Sequence, residues 1–496
     1  MNPDMNREVE SHYPEALTSL ATAVQERGGR LLMVGGAVRD ELLGLPPTDF
    51  DVEAFGLPVR AVEEVAAQLG AVKEVGRDFG IFKMRIAGHE IDLGLPRRDS
   101  KISPGHRGFQ ANVEPSMTVA EAAQRRDFTI GAIYKDPLTG EVLDPTHGAN
   151  DLQQRRLRMV DPTTFVEDPL RLLRGAQLAA RYELKLDPAT LEQMRLMMPE
   201  IKTLKPDRLV AEWRKLMVKA ERPSIGLEIM KSTDYFKEYF PVIDQLASTP
   251  QDPRWHPEGN VWVHTKLVVD QARRLAATQE LSAEETLIAT LAAFCHDLGK
   301  VSTTQIVDRK IITHGHEEAG ADPARDWLEK SGFPESIIRK VIPLVTNHLK
   351  PALLYESEHR GQWVTGGALR RLAKRVYPST IKQLALVATA DHLGRGPFPQ
   401  PDGASAWPTY DPASEWLLAE SQRRGVDQGR PEPVLYGRDL VERGWSPGPI
   451  FGQVIALAEQ LAEQGYDRAA ILALLDQAEE PAAALATLEQ ATQPSS

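Results

Sequence analysis

The run Leu31-Leu32-Met33-Val34-Gly35-Gly36-Ala37-Val38-Arg39-Asp40, with Asp49-Phe50-Asp51 soon after it, holds the first residues whose types and spacing could do chemistry. It reads as a buried strand, a glycine turn, a helix start and a second strand bearing two carboxylates. Gly35 and Gly36 let backbone N–H groups come close to an anion, and the helix N-terminus after them favours negative charge. Side chains alternate along an extended strand, so Asp49 and Asp51 face one side and can share an oxygen-seeking ion such as Mg²⁺. A phosphate cradle beside a divalent metal is the geometry of nucleotidyl transfer. Taken alone, a Gly-Gly pair is a turn and Asp-x-Asp a solvated strand edge, so the reading depends on the rest of the chain.

The second half offers a different donor set. His264 in Val261-Trp262-Val263-His264, then Cys295-His296-Asp297-Leu298-Gly299-Lys300, His314-Gly315-His316-Glu317, Asn347-His348 and Ala390-Asp391-His392 succeed one another through helical sequence. Imidazoles and carboxylates are ligands for borderline and hard divalent metals, and an adjacent His-Asp pair at a helix end can give two ligands to one ion or bridge two. A single helical histidine is ordinarily structural; the ordered set carries the reading. His314 and His392 read as supporting or surface residues. No histidine stands four residues after His316, so the zincin pattern is absent, and Cys295 falls on the apolar side of its helix.

The wording G-G-A-V-R-D-E-L-L-G-L-P-P-T-D-F-D resembles the signature of the tRNA nucleotidyltransferase and bacterial poly(A) polymerase superfamily, whose members carry a DNA-polymerase-β-like palm. Gln124-Arg125-Arg126-Asp127-Phe128-Thr129-Ile130 is similar to its ribose-reading segment. Asp144-Pro145 with Gly148 and Asp151-Leu152 is similar to its hinge motif, and Glu167-Asp168-Pro169-Leu170-Arg171-Leu172-Leu173-Arg174 to the motif by which the protein itself acts as template. The resemblance implies that Gly35, Gly36, Arg39, Arg126 and Asp127 handle triphosphate and ribose; Arg39 pairing with a neighbouring carboxylate is the alternative. Two positions depart from the family: Gly131 replaces the usual Asn, and Gln177 stands where some relatives place a further arginine.

Asp168 is a good N-cap and Pro169 suits the first helical position, so a helix starts here with Leu172, Leu173, Ala176, Ala179 and Ala180 on its apolar side. Asp168, Arg171 and Arg174 then share another face. Cytosine and adenine both offer an exocyclic amine beside a ring-nitrogen acceptor; a carboxylate accepts from the first while a guanidinium donates to the second. Uracil and guanine reverse the pattern and would leave buried charges unpaired. The plain alternative is a surface ion pair on an ordinary helix. Two metals held by Asp49 and Asp51 would act on the α-phosphate of CTP or ATP, with Asp92 in Glu90-Ile91-Asp92-Leu93 as the best third carboxylate and Glu90 or plain solvent exposure of Asp92 as the alternatives.

The histidine-aspartate set is similar to that of an HD-domain phosphohydrolase. The resemblance makes His264, His296, Asp297 and Asp391 its four diagnostic ligands and His316 and His348 candidates for a second metal. Histidine-rich ligation favours a transition metal such as Ni²⁺, Co²⁺ or Mn²⁺, whereas the palm carboxylates favour Mg²⁺.

These groups need a mixed scaffold. Residues from about 30 to 160 mix β-rich runs with helices, and from Thr164 helical periodicity takes over. The fold class expected is α+β, with a polymerase-β-like palm (1–160), a helical neck carrying the template helix and an RNA-binding surface (161–252), an HD domain (253–396) and a helical tail contacting the tRNA body (397–496). Pro253 to Gly259 reads as a linker, Gly394 to Pro412 as the end of the metal-binding domain, and the Ala-, Gln- and Glu-rich tail as fading into a polar terminus. There is no fixed-period repeat. At 496 residues the chain has room for several cores, and its single cysteine excludes an internal disulfide. The polar N-terminus lacks a signal peptide's apolar run and no stretch is apolar enough for a span, so the expectation is a cytoplasmic protein without membrane association, with monomer and homodimer both open.

A net charge of −12 argues against a general nucleic-acid coat protein. Local charge differs: Lys202, Lys205, Arg208, Arg214, Lys215, Lys219 and Arg222 mark a helical stretch, and Arg155, Arg156 and Arg158 precede the template helix. That suits an RNA end; an ordinary solvated basic face is the alternative. The whole resembles a bacterial CCA-adding tRNA nucleotidyltransferase with an appended HD domain, with tRNA, CTP and ATP as partners. Three rivals remain: a poly(A) polymerase, a partial CC- or A-adding enzyme, and an RNA-binding phosphohydrolase with an inactive transferase half. The embedded histidine-aspartate cluster disfavours the first and intact Asp49 and Asp51 the third. The stretch between Asp92 and Arg125 is long enough for a flexible loop, which favours retention of A addition.

Overall fold

A computed structural model describes residues 13–47, 49–74, 81–86, 89–101, 109–400 and 404–492. The chain forms two compact units, Met1–Leu216 with Ile225–Tyr235, and Met217–Ser224 with Phe236–Ser496.

The first unit is built on strands β1 (Arg30–Val34), β2 (Phe50–Phe55), β3 (Ala71–Glu74), β4 (Ile81–Ile86), β5 (His89–Gly94), β6 (Arg97–Lys101), β7 (Phe109–Val113), β8 (Tyr134–Lys135) and β9 (Val142–Leu143). Among the described residues, one sheet runs β3-β4-β5-β2-β1-β8-β9, and β6 pairs with β7 as a separate antiparallel hairpin. Residues 102–108, within the stretch read as a loop, lie outside the described residues. The β2–β5 pair is parallel and sets Asp51 directly beside Asp92.

Alternation decides which face of the sheet does chemistry. Leu31, Met33, Val52 and Ala54 turn to one face, where they form a buried core with Leu17, Leu20 and Val24 of α1 (Glu15–Glu26). The short helix α2 (Gly36–Leu42) leaves β1, and Val62 and Val65 of α3 (Val59–Leu69) complete that core. Asp51 and Glu53 pair across the sheet with Val34 and Leu32, so all four share the opposite face. Each buried Leu or Val contributes ~1.5–3 kcal/mol, so a one-residue slip, which would drive Asp51 into the helix-covered core, is excluded by many such terms.

On the opposite face Thr118 and Glu121 form a capping box at the start of α4 (Val119–Gln124), whose end delivers Arg125-Arg126-Asp127. Asp144 of the hinge motif accepts from the backbone N–H of Gly148 at 2.7 Å and Ala149 at 2.9 Å, starting α5 (Gly148–Gln153). After α6 (Pro162–Phe165) comes α7 (Leu170–Tyr182). The expected cap is present, Asp168 Oδ1 accepting from Leu170 N–H at 3.1 Å. Leu172, Leu173, Ala176, Ala179 and Ala180 are buried as the apolar spacing predicts.

Asp151 is fully buried and binds the Thr129 hydroxyl at 2.7 Å, Arg158 at 2.8 Å and Arg156 at 2.5 Å. Arg155 donates to the carbonyl of Tyr182 at 2.9 Å. The triplet Arg155, Arg156 and Arg158, expected as an RNA-facing stripe, is thus a set of fold contacts. Burial pushes the Asp151 carboxyl up, but hydrogen bonds from Thr129, Arg158 and Arg156 outweigh it and hold it below the usual range. Its stabilisation is complete above the unfolded-state value of about 4 and drains as pH falls through the depressed one. Asp151→Ala is expected to cost ~2–4 kcal/mol, read as a lower urea midpoint at pH 7, with a smaller difference from the parent in strong acid.

In the second unit the helices Val261–Thr278, Ala283–Cys295, Glu335–Val345 and Ile381–Leu393 pack together. Asn260 caps the first, and Ser282 with Glu285 and Thr380 with Gln383 form capping boxes on the second and last. The tail is helical, as expected. Helices Pro449–Gln464, Arg468–Leu475 and Pro481–Thr492 bury Phe451, Val454, Leu461, Ile471, Leu475 and Leu488 in a core of their own. The polar terminus, residues 493–496, lies outside the described residues. No helix among the described residues is long and apolar enough to cross a membrane.

Candidate active sites in the two units

Gly35 has φ 79°, a region L side chains rarely adopt, and a Cβ there would lie 3.2 Å from Asp51 Oδ2 and 3.5 Å from Arg126 Nη1. The bare backbone therefore comes up against the carboxylate and the guanidinium together. Asp51 titrates above the usual carboxylate value: desolvation by the surrounding protein raises it most, Arg126 draws it down, and Asp92 and Asp49 push it up again. Three carboxylates crowded in this way are a donor set for a hard cation. Asp92, not Glu90, is in register with Asp51, and Asp92 Oδ2 lies 3.2 Å from Lys83 Nζ on the next strand.

Beside them is a cavity of about 260 Å³ walled by Arg97, Arg125, Arg126, Asp127, Asp168, Arg171 and Arg174. The face expected to hold Asp168, Arg171 and Arg174 is thus the wall of one pocket. Arg174 meets Asp127 at 2.9 Å and Arg208 meets Asp168 at 3.0 Å. Arg171 donates to the carbonyls of Thr164 at 2.7 Å and Arg125 at 2.8 Å, which fixes its fork. Burial pushes the Asp127 carboxyl up, yet Arg174 and Arg171 hold it below its ordinary value.

Arg39 does not line that cavity but stays beside the glycine turn, where a Cβ on Gly36 would lie 3.6 Å from its Nη2. It is buried and paired with Asp40 at 2.8 Å and with the Tyr182 hydroxyl at 2.5 Å, so the pairing alternative is present at the turn itself. A Cβ on Gly131 would make only an ordinary 3.6 Å contact with Asp127 Oδ1, so the backbone does not demand glycine there; Gln177 is buried.

Sequence reasoning passed over Glu53. It is buried, lies 2.6 Å from Arg126 and 3.3 Å from the Tyr134 hydroxyl, and also pairs with Arg125. Burial pushes its carboxyl up, but Arg126 and Arg125 hold it below the usual range. The signal was present, since Asp49, Asp51 and Glu53 continue one alternation. The basic stretch divides into two kinds of residue: Lys202, Lys205 and Arg214 are exposed, whereas Arg208 is held by Asp168 and Lys215 by Glu212 at 2.8 Å.

In the second unit His264, His296, Asp297, His316, His348 and Asp391 converge, all buried. A Cβ on Gly299 would strike the His316 carbonyl at 2.0 Å, so glycine at this position lets the His316 backbone close on the His296-Asp297 turn. His296, His316 and His348 each place Nδ1 on a backbone carbonyl, those of Ala293 at 2.7 Å, Thr313 at 2.9 Å and Val345 at 2.7 Å. A carbonyl only accepts, so the proton is on Nδ1 and Nε2 carries a lone pair. Those lone pairs face Asp297 oxygens at 3.2, 3.3 and 4.0 Å respectively. Asp297 Oδ1 is buried without a hydrogen-bond donor. Acceptors facing acceptors in a buried site call for a cation between them, and groups His264-His296-Asp297 and Asp297-His316-His348 each bring their ligand atoms within 4.8 Å. Burial, with His296 adding to it, pushes His348 down to about 3, keeping it a neutral ligand.

The cavity in front of these groups, about 210 Å³, is also lined by Gln251, Trp255, His256, Lys300 and Arg395. Lys300 lies 2.7 Å from Asp297 and Arg395 2.5 Å from Asp391. The segment read as a linker, Pro253 to Gly259, therefore forms part of the site wall. His314 is exposed and Cys295 buried, as expected.

Known proteins share this arrangement. The family described as the poly A polymerase head domain matches residues 31–158, that described as the probable RNA and SrmB-binding site of polymerase A residues 183–246, and the HD domain residues 261–395. The multifunctional CCA protein of Xanthomonas campestris pv. campestris (strain B100) is 36% identical over 372 residues, 74% of this chain and 85% of that one. The chain belongs to the multifunctional CCA protein family. Its counterpart in Methylococcus capsulatus (strain ATCC 33009 / NCIMB 11132 / Bath) is 32% identical over 432 residues, 86% of this chain and 92% of that protein. The Thermotoga maritima CCA-adding enzyme complexed with tRNA-CCA has the same fold over 97% of both chains, with a TM-score of 0.58 and 17% identity. Membership makes the chain a nucleotidyltransferase with an HD domain and divalent-metal dependence, and the α+β class read from the sequence holds.

Proposed function

We propose that the first unit adds C, C and A in turn to the 3′ end of tRNA, using CTP and ATP and no nucleic-acid template. The observation that carries this is one sheet face holding Asp49, Asp51 and Asp92 against the Gly35 turn, with the arginine-walled cavity beside it. Arg126 and the Gly35-Gly36 backbone bind the triphosphate, and Asp127 fixes Arg174 at the cavity wall. Asp168 accepts from the exocyclic amine of cytosine or adenine while Arg171 donates to the ring nitrogen beside it. Mg²⁺ suits the all-oxygen set Asp49, Asp51 and Asp92 and, when bound, would lower the pKa of the attacking 3′-hydroxyl and neutralise the leaving pyrophosphate. Lys202, Lys205 and Arg214 contact RNA phosphates from the neck (161–252), and the tail (397–496) contacts the tRNA body. Incubation with tRNA lacking its terminal nucleotides and single labelled NTPs tests this. Extension by two C and then one A is expected; one A only, two C only, or a long A tract would each replace it with the corresponding rival.

Arg171→Ala is expected to raise UTP or GTP use relative to CTP and ATP by about tenfold or more, because the donor that penalises the wrong ring nitrogen is gone. A variant that slows yet keeps its full C and A preference would place base reading elsewhere.

The second unit is proposed to be a metal-dependent phosphatase or phosphodiesterase. Converging Nε2 lone pairs around Asp297 support it, and Lys300 and Arg395 supply positive charge on the same cavity for a phosphate ester.

A further inference from the structure

Glu258 lies just before the helix Val261–Thr278, and its side chain is only 2% exposed. Its Oε1 bonds Nδ1 of His256 at 2.8 Å and lies 2.8 Å from Nδ1 of His264, and its Oε2 accepts from the backbone N–H of Gly396 at 3.0 Å. A carboxylate only accepts, so His256 carries its proton on Nδ1; His264 has a carboxylate at each ring nitrogen, and a cation held between its Nε2 and Asp391 would leave its proton on Nδ1, facing Glu258. His264 Nε2 points into the cluster, 3.0 Å from Asp391 Oδ1 and 3.4 Å from His296 Nε2. His256 stands edge-on to His264 with ring centroids 4.6 Å apart, and its side chain lines the cavity that holds Asp297, Lys300 and His316. The other three imidazoles are fixed by backbone carbonyls, which no side-chain substitution removes. His264 depends on a side chain.

We propose that Glu258 is the positioning residue of the HD centre, locking His264 and His256 in the Nδ1–H tautomer, and that His256 is a further residue of the hydrolytic site. Its Nε2 is an acceptor for a hydroxyl or water at the phosphate ester. The inference rests on the phosphohydrolase reading of the second unit. Both imidazoles meet Oε1, and the Gly396 N–H meets Oε2. A glutamine that keeps its amide oxygen on the imidazoles sets its NH₂ against the Gly396 N–H, donor against donor, and one turned over sets its NH₂ against both Nδ1 atoms, so either orientation disturbs the hold on the two rings.

The test uses the full-length chain, Co²⁺ binding measured by calorimetry and by the visible absorption of the bound ion, and hydrolysis of bis(p-nitrophenyl) phosphate. Glu258→Gln is expected to weaken Co²⁺ binding ~10–100-fold while CCA addition, housed in the other unit, is retained. His256→Ala is expected to bind Co²⁺ as the parent does and to lose about 100-fold or more in kcat with KM little changed. Parental affinity in E258Q overturns the positioning role. Undiminished kcat in H256A, or Co²⁺ affinity lost in step with it, overturns the role of His256. If E258Q does not fold, Glu258→Asp decides: its carboxylate is one methylene short, so weakened Co²⁺ binding supports the role and parental binding overturns it. A parent chain that binds no Co²⁺ overturns the metal reading of the unit and this inference with it, which sets that failure apart from parental affinity in E258Q alone.

Discussion

Asp51→Ala is expected to lower CTP and ATP incorporation by at least ~10³-fold while leaving the fold intact. The carboxylate lies at the centre of the row, in register with Asp92 on β5, two residues from Asp49 and against the Gly35 turn. Its removal takes away a proposed ligand, while Arg126 keeps its pairing with Glu53 at 2.6 Å. Stability moves the other way. Asp51 titrates above its ordinary value through desolvation and the repulsion of Asp92 and Asp49, so the alanine variant loses an unfavourable crowding and should melt no lower than the parent. Primer-extension rates on tRNA lacking CCA, read beside a thermal melt, separate the two effects. Asp49→Ala should behave alike in rate. Near-parental incorporation by either variant would remove the transferase site from this face of the sheet.

The parts of the site legible in the sequence are those set by local rules. Strand alternation places Asp49 and Asp51 together, and the Asp168-Pro169 start places Arg171 and Arg174 on one face, because both depend on neighbours a few residues away. Pairings across long stretches of chain are not legible. Arg39 is taken by Tyr182, and Arg208, which reads as one more cation in a basic stretch, is taken by Asp168 just ahead of α7. Composition cannot distinguish it from the exposed Lys205. The histidine-aspartate cluster of the HD domain is legible as an ordered set, but His256 and Glu258 are hidden in a Pro- and Gly-bearing segment whose composition signals only a loop. Loops on a rigid scaffold carry function readily, and here the loop returns its side chains to the cavity. The tail is legible as helix but its core is not: alanine-rich helices bury little area per residue, yet small side chains let three of them close on Phe451 and Leu461.

The second large effect is the separation of the two chemistries. His296→Ala is expected to abolish metal-stimulated hydrolysis of a phosphodiester and to leave CCA synthesis largely unchanged, while Asp49→Ala does the reverse. His296 Nε2 stands 3.2 Å from Asp297 Oδ2 and 3.4 Å from His264 Nε2, so its loss opens the ligand set at its middle. Asp297 then keeps a buried carboxylate whose depressed pKa, which burial opposes, rests on His296 first and on Lys300 next. The residual site holds a divalent ion poorly. The palm residues lie in the other compact unit and share no ligand with it. Metal preference should divide along the same line. Mg²⁺ suffices for an all-oxygen set, whereas imidazole-rich ligation prefers Ni²⁺, Co²⁺ or Mn²⁺. Both variants are assayed across these ions, on a chromogenic phosphodiester and on 2′,3′-cyclic AMP, with tRNA extension run in parallel. Hydrolysis that survives in His296→Ala and disappears in Asp49→Ala would assign the hydrolytic metal chemistry to the palm, and the convergence around Asp297 would then be structural.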